Sequence, residues 1–185
     1  MHAAAAATGV AVKQDPTWRV HIGTADVTSV RFALPPALDS DPWPLSRVVA
    51  DVLTMGASRA DRPHAVGPGR GVPIIHRQDL RWHGCDLHLE ARHIDRLAEV
   101  SIELPPWDEL TERVEAEDAV WELVDTVAAA CDARWGALGD GEALGDAPDP
   151  RRHIGVLVPE RDGDAFGITR AYAVLPRSGF AVVLR

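Results

Sequence analysis

The stretch LRWHGCDLHLEARHIDRLAEVSIELP, residues 80 to 105, decides the fold because it alternates apolar and polar side chains in two successive runs. In the first run Cys85, Leu87, Leu89 and Ala91 recur at every second position, and LAEVSIELP at 97–105 repeats the pattern. A period of two is that of a β-strand with one buried face. We therefore predict strands over 80–92 and 97–105, joined by a hairpin turn in HIDR, with a bulge at Gly84 where the alternation slips by one residue.

On the amino-terminal side of this hairpin, WRVHIGTADVTSVRFAL at 18–34 reads as two short strands around a Gly-Thr-Ala-Asp turn. From Leu45 to about Arg59, apolar residues recur at steps of three and four, which predicts an amphipathic helix. The following RADRPHAVGPGRGVP, 59–73, is rich in Pro and Gly and predicts a long loop.

On the carboxyl-terminal side, the pattern predicts a long helix over 108–135, broken near 116, with Asp108 as its N-cap and Gly136 as its stop. Its apolar stripe is Trp121, Val124, Ala128, Cys131 and Trp135. An acidic loop then leads to three predicted strands, HIGVLVP, ITRAYAVL and GFAVVLR, the last two joined by a turn at 176–179.

The predicted order ββαββαβββ favours an α+β fold, in which two helices pack on one face of a mainly antiparallel sheet. The 185 residues suit one domain, which we expect to span 17–185 after a flexible tail at 1–16. No segment approaches the roughly 18 apolar residues that a membrane helix needs. Two widely spaced cysteines in apolar patterns suit core thiols in a reducing compartment, so we expect a cytoplasmic protein.

The acidic residues are concentrated in one region. The formal net charge is -9, and residues 99 to 149 hold fifteen Asp and Glu against two Arg, a local balance of -13. General nucleic-acid binding draws on clustered Lys and Arg, so this charge argues against it. An acidic domain is instead suited to a basic protein partner.

Three histidines, His83, His88 and His93, raise the question of a metal site. On a strand, His83 and His93 point to one side and His88 to the other unless a bulge intervenes, and on a helix five-residue steps spread them by about 140 degrees. A bulge at Gly84 brings His83 onto the side of Asp86, His88 and Glu90, which keeps metal binding open as an alternative. We predict a solvated charged strand face, with no metal and no other cofactor.

Catalytic templates are missing from the sequence, which has no G-x-S-x-G elbow, P-loop or H-E-x-x-H motif. GPGRG at 67–71 lacks a preceding strand and a following helix, so we interpret it as a turn. The position of Cys131 in the apolar stripe favours a buried thiol over a nucleophile. We therefore expect no enzyme, while two other classes stay open: a small enzyme or ligand-binding protein with a pocket near the 80–92 strand, and a structural component of a bacterial or phage assembly.

The segments AVWELVDTVAAACDARWGAL, HIGVLVP and AYAVLPRSGFAVVLR resemble the end of bacterial immunity proteins that protect cells from polymorphic secreted toxins. In that family a helix ending near a Trp-Gly pair precedes a strand and a final hairpin with a Pro and Gly turn. The resemblance covers residues 120 to 185 and implies an inhibitor that binds and occludes a toxin, with no catalytic residues to carry over. The toxin differs between members, so its identity does not transfer.

We predict that the partner-binding surface is acidic and lies on the long helix and the loop after it. At 100 degrees per residue, four acidic side chains fall opposite the apolar stripe. We call them the acidic row: Glu115, Asp118, Glu122 and Asp125. The adjoining acidic loop contains Asp140, Glu142 and Asp146, and together they would present a continuous negative field to a basic toxin.

Overall fold

The stretch that follows the predicted long loop folds into three consecutive antiparallel strands in a computed structural model of the chain. These are β5 (Ile74–Trp82), β6 (Cys85–Ile94) and β7 (Leu97–Leu104). The structure describes residues 11–12, 28–35, 45–61, 64–66, 74–94, 97–106, 110, 117–139, 144–162 and 173–184.

The other strands are short. Before β5 lie β1 (Ala11–Val12), β2 (Thr28–Ala33), β3 (Ser58–Arg59) and β4 (His64–Val66). After β7 lie β8 (Trp135–Gly139), β9 (Gly155–Pro159), β10 (Ala173–Leu175) and β11 (Phe180–Leu184). The two helices are α1 (Leu45–Thr54), between β2 and β3, and α2 (Glu117–Ala130), between β7 and β8.

Within the described residues, the eleven strands form one sheet in the order β1-β10-β11-β9-β8-β2-β7-β6-β5-β3, with β4 also paired to β5. Every pairing is antiparallel. Strand β2 joins the two halves of the sheet because it pairs with β7 on one side and β8 on the other. The predicted α+β class, with two helices and a mainly antiparallel sheet, is confirmed.

The main core lies between the helices and one face of the sheet. Leu87, Leu89, Val100 and Ile102 are at most 1 % exposed and belong to the same apolar cluster as the inner sides of α1 and α2. The register places residues of neighbouring strands side by side, so the remaining side chains of β5, β6, β7, β2 and β8 point away from the helices. We call that side the second face.

The predicted bulge at Gly84 is wrong, because the chain reverses there. Trp82 pairs with Cys85, and the two residues between them form a tight hairpin turn. His83 and Gly84 have φ of 49° and 77°, the left-handed pair that two-residue hairpins of type I′ require. The single strand predicted over 80–92 is therefore the end of one strand and most of the next.

The first helix is shorter than predicted. It ends at Thr54 instead of Arg59, because Gly56 adopts φ 87° and its N–H donates to the carbonyl of Leu53 at 3.2 Å. The predicted loop after it is also partly wrong, since β3 and β4 lie in this region and both pair with β5.

The second helix ends at Ala130, five residues earlier than predicted. Asp132 takes the left-handed conformation, φ 51°, and the N–H groups of Asp132 and Ala133 donate to Ala129 and Ala128 at 3.2 and 3.0 Å. This is the Schellman arrangement, with Asp in the place where Gly is most common. Trp135 and Gly136 therefore begin strand β8 and do not end a helix.

The amino-terminal predictions fall partly outside the described residues. Of the tail predicted over 1–16, Ala11 and Val12 form β1 and pair with β10, so these two residues belong to the sheet. The strand predicted around Val20, the N-cap Asp108 and the break near 116 lie outside the described residues, although Leu110 is helical. None of the helices in the described part of the chain is long and apolar enough to span a membrane.

Candidate functional site

Helix α2 does not present the predicted acidic row as one exposed face. Asp118 and Glu122 are exposed, but Asp125 is only 1 % exposed, and Glu115 lies outside the described residues. The prediction that Asp125 lies on the solvent side is wrong because the turn between β10 and β11 packs against this part of the helix.

The carboxylate of Asp125 holds that turn by three hydrogen bonds. The backbone N–H groups of Arg177 and Ser178 donate to it at 3.0 and 2.8 Å, and Ser178 Oγ donates at 2.7 Å. Bonds to an ionised acceptor are stronger than neutral ones, and they satisfy two backbone donors that would otherwise be orphaned. Asp125 therefore connects α2 to the last hairpin of the sheet.

Arg177 adds contacts from its side chain. Its guanidinium donates to Thr126 Oγ1 at 3.1 Å and to Glu122 Oε1 at 3.2 Å, and both partners of the ion pair are about half exposed. Exposed pairs of this kind contribute little stability, but they cancel local charge. Of the described members of the acidic row, Asp118 alone is both exposed and without a salt bridge.

The acidic loop is described only in part, because Asp140 and Glu142 lie outside the described residues. Asp146 is exposed. Leu144, two residues earlier, packs with Ala33, Trp135 and Ala137 on the second face of the sheet. The sheet therefore lies between Leu144 and α2, and the described residues do not join Asp146 to the acidic row.

Of the histidines that raised the metal question, the two with described side chains, His83 and His88, are not brought together. His83 stands in the tight turn with its ring edge-on to Trp82, centroids 4.6 Å apart, whereas His88 Nδ1 lies 2.8 Å from Asp79 Oδ1. The side chain of His93 lies outside the described residues. Across the described ranges, no three His, Cys, Asp or Glu side chains are placed to hold a metal ion together.

The second face carries a chain of ion pairs across four strands. Glu90 accepts from Arg77 Nε at 2.6 Å and also from Arg92, while Glu99 accepts from Arg31 Nη1 at 3.1 Å and lies 3.9 Å from Arg92 Nη1. Glu90, Glu99 and Arg31 are buried, so the prediction of a solvated charged strand face is wrong at Glu90. Buried charges are tolerated when they are paired, and each of these carboxylates contacts two guanidinium groups.

A cavity of about 330 Å³ opens beside this chain, between β5, β6 and β7. Its lining residues are Arg77, Asp79, His88, Leu89, Glu90 and Glu103. Asp79, His88 and Glu103 are direct cross-strand partners, so their side chains form one row over the three strands. Asp79 and His88 keep 37 % and 54 % of their side-chain surface exposed, which leaves the row open to solvent.

A larger depression of about 760 Å³ lies where the ends of β2, α2 and β9 meet the β10–β11 turn. It is lined by charges of both signs, among them Asp132, Arg134, Glu160 and Arg161. Arg161 already lies 3.8 Å from Asp162, which also lines it. This mixture does not favour one class of ligand.

Cys131 is a half-buried thiol packed against the main core. It follows the last turn of α2, and its Sγ donates to the carbonyl of Ala128 at 3.6 Å. Burial raises the pKa of this thiol to about 12, so it stays protonated at neutral pH. A protonated thiol is a poor nucleophile, which agrees with the predicted structural role.

The sequence prediction missed Arg77 and Asp79 because it missed most of β5. On the core side of this strand stand His76 and Gln78, two polar residues that interrupt the apolar alternation. Gln78 is fully buried, and its amide donates to the carbonyls of Asp61 and Asp79 at 2.8 and 3.0 Å. The dipeptide His83-Gly84 between two β-like runs was the signal that could have revealed the strand.

Comparison with known proteins gave no match. No protein-family model, no curated protein sequence and no solved structure is significantly similar to this chain. The resemblance of residues 120–185 to immunity proteins therefore stays a prediction.

Proposed function

We propose that this chain is an immunity-like binding protein that neutralises a basic toxin by occluding it in the bacterial cytoplasm. The observation that carries the proposal is the acidic charge: a net charge of -9, with a local balance of -13 in residues 99–149. Among the described residues of that region, Asp118 is exposed on α2 without an ion pair, and Glu122 beside it is exposed but paired with Arg177. A negative surface of this kind speeds the approach of a positively charged partner.

The attachment of α2 supports a binding role. Asp125 ties the helix to the turn at 176–179, and the opposite side of the helix packs in the main core. Asp118 and Glu122 therefore project from a helix whose position is fixed at both sides. A preorganised surface loses less conformational entropy when it binds, so more of the interaction energy appears as affinity.

The first experiment uses the product of the gene beside the one that encodes this chain. We expect this product to stop the growth of a laboratory host when it is expressed alone, and co-expression of the chain to restore growth. The purified complex should have a one-to-one stoichiometry. Growth arrest that co-expression leaves unchanged, with no complex on gel filtration, would contradict the proposal.

The second experiment locates the interface. Asp118→Lys combined with Glu122→Lys should slow association with that toxin by about tenfold and weaken its salt dependence, because steering depends on these charges. The matched control, Asp51→Lys with Glu160→Lys, changes the net charge equally but alters α1 and the end of β9. If both double variants associate equally fast, this side of α2 does not form the interface.

A further inference from the structure

The cavity of about 330 Å³ on the second face has an uneven charge balance. Arg77 is its only guanidinium, and that group donates to Glu90 at 2.6 Å. Glu90 also accepts from Arg92, so its negative charge is met by two cations. The arginines near the cavity are therefore already engaged by one of its three carboxylates.

The other two carboxylates stand on either side of His88. Asp79 contacts the imidazole through Oδ1 at 2.8 Å. The carboxylate of Glu103, the cross-strand partner of His88 on β7, has no hydrogen bond or salt bridge to a side chain among the described residues. The surplus negative charge of the cavity therefore lies at Glu103. The backbones of Asp79 and Glu103 are two strand spacings apart, roughly 10 Å, and their side chains line the cavity on either side of His88.

This geometry separates two kinds of cation. A metal ion needs its oxygen ligands at about 2.0–2.6 Å, and no three suitable side chains in the described part of the chain meet that requirement. An organic cation is larger, and its N–H groups reach separate carboxylates through hydrogen bonds of about 2.7–2.9 Å. The cavity volume is at the lower end of the roughly 300–1,000 Å³ range typical of small-molecule sites.

We propose that this cavity binds an organic cation, a guanidinium or primary ammonium group, with Glu103 as its main acceptor. The row of Asp79 and His88 forms the opposite wall, and the Arg77–Glu90 pair closes the end. Two sources supply such a cation, a small molecule such as a polyamine or an arginine or lysine side chain of another protein, and the experiment below distinguishes them. This site lies on the side of the sheet opposite α2, so it is independent of the toxin interface proposed above.

The test is a titration of the folded chain, followed by backbone amide NMR, with three probes: agmatine, putrescine and the peptide acetyl-Gly-Arg-Gly-amide. We expect saturable shifts at Asp79, His88 and Glu103 for at least one probe, with a Kd of about 1 mM or below. Shifts with the amines identify a small-molecule site, and shifts with the peptide alone identify a side-chain site.

Two matched variants separate direct contact from general electrostatics. Glu103→Gln keeps the shape of the side chain but removes its charge, and we expect it to raise the Kd at least about tenfold, as loss of a charge-assisted bond requires. Asp86→Asn also removes one negative charge from the second face of the sheet, but Asp86 lies on β6 outside the cavity, where it pairs with Arg81. This control should change the Kd by less than about threefold.

The proposal is overturned by either of two results with folded protein. One is the absence of saturable shifts with all three probes up to about 10 mM. The other is equal weakening by Glu103→Gln and Asp86→Asn, which would reduce the effect to the overall charge of the chain. Neither result depends on a toxin, so the immunity-like function is tested separately.

Discussion

Replacing Asp125 with Ala should destabilise the fold far more than replacing any exposed acidic residue of the same helix. The substitution removes three hydrogen bonds to a buried carboxylate and leaves the N–H groups of Arg177 and Ser178 without their acceptor. Hydrogen bonds to charged groups contribute about 1.5–3 kcal/mol, and an orphaned buried donor costs about 1–3 kcal/mol. Because solvent can enter after truncation, we expect a loss of about 3–5 kcal/mol.

Three further variants dissect this loss. Asp125→Asn keeps one acceptor oxygen for Ser178 but not the second one for Arg177, so it should cost about 1–2 kcal/mol. Arg177→Ala removes the half-exposed guanidinium but keeps the backbone N–H, so it should cost at most about 1 kcal/mol. Asp118→Ala changes an exposed residue and should stay within about 0.5 kcal/mol of the wild type.

The assay is urea unfolding followed by tryptophan fluorescence, with thermal melting as a second measurement. For a chain of this length each kcal/mol shifts the Tm by roughly 2–4 °C, so Asp125→Ala should melt about 10 °C below the wild type. If Asp125→Ala and Arg177→Ala lose the same small amount, the contacts of the carboxylate with the backbone are not what holds the last hairpin against α2.

Two other predictions concern single sites. Gly136→Ala should cost about 1–3 kcal/mol in urea unfolding, because its Cβ would lie 2.9 Å from the Arg31 carbonyl and 3.0 Å from the Phe32 ring. Gly56→Ala meets no atom within 4 Å and has only its φ of 87° to strain it, so it should cost about 1–2 kcal/mol. A Gly136→Ala variant as stable as the wild type would contradict the reasoning. At pH 8, iodoacetamide should modify Cys131 at least about a hundredfold more slowly in the native protein than in urea. The reason is that burial raises the pKa of the thiol to about 12, and only the thiolate reacts. Equal modification rates, followed by mass spectrometry, would show that the thiol is accessible.

Features whose physical cause is local could be predicted from the amino-acid sequence. The alternation in 85–91 and 97–104 defines β6, β7 and their buried faces, because a strand places every second side chain on the same side. The three- and four-residue apolar spacing in 45–53 and 120–128 likewise defines the two helices and their inner sides. These patterns were sufficient for the α+β class.

The burial of individual polar residues depends on partners that are distant in the sequence. One side of α2 carries three acidic residues at steps of four and three positions, Asp118, Glu122 and Asp125. Asp125 alone is buried, because the backbone N–H groups of residues 177 and 178 donate to its carboxylate. Strand β5 was missed because His76 and Gln78 interrupt the apolar alternation on its core side, and the local pattern does not show that the buried amide of Gln78 donates to the carbonyl of Asp61. Glu90 is buried for the same reason, since Arg77 and Arg92 reach it from a neighbouring strand and from its own.

The candidate sites depend on the same long-range contacts. Asp79, His88 and Glu103 are separated by nine and fifteen positions in the chain, and only the register of β5, β6 and β7 makes them neighbours. Hydrophobic periodicity reports whether a side chain faces the core, because burial of apolar surface is non-directional and depends on local alternation alone. A hydrogen bond or an ion pair needs a particular partner at a particular distance, and that partner is supplied by a part of the chain that the local pattern does not identify.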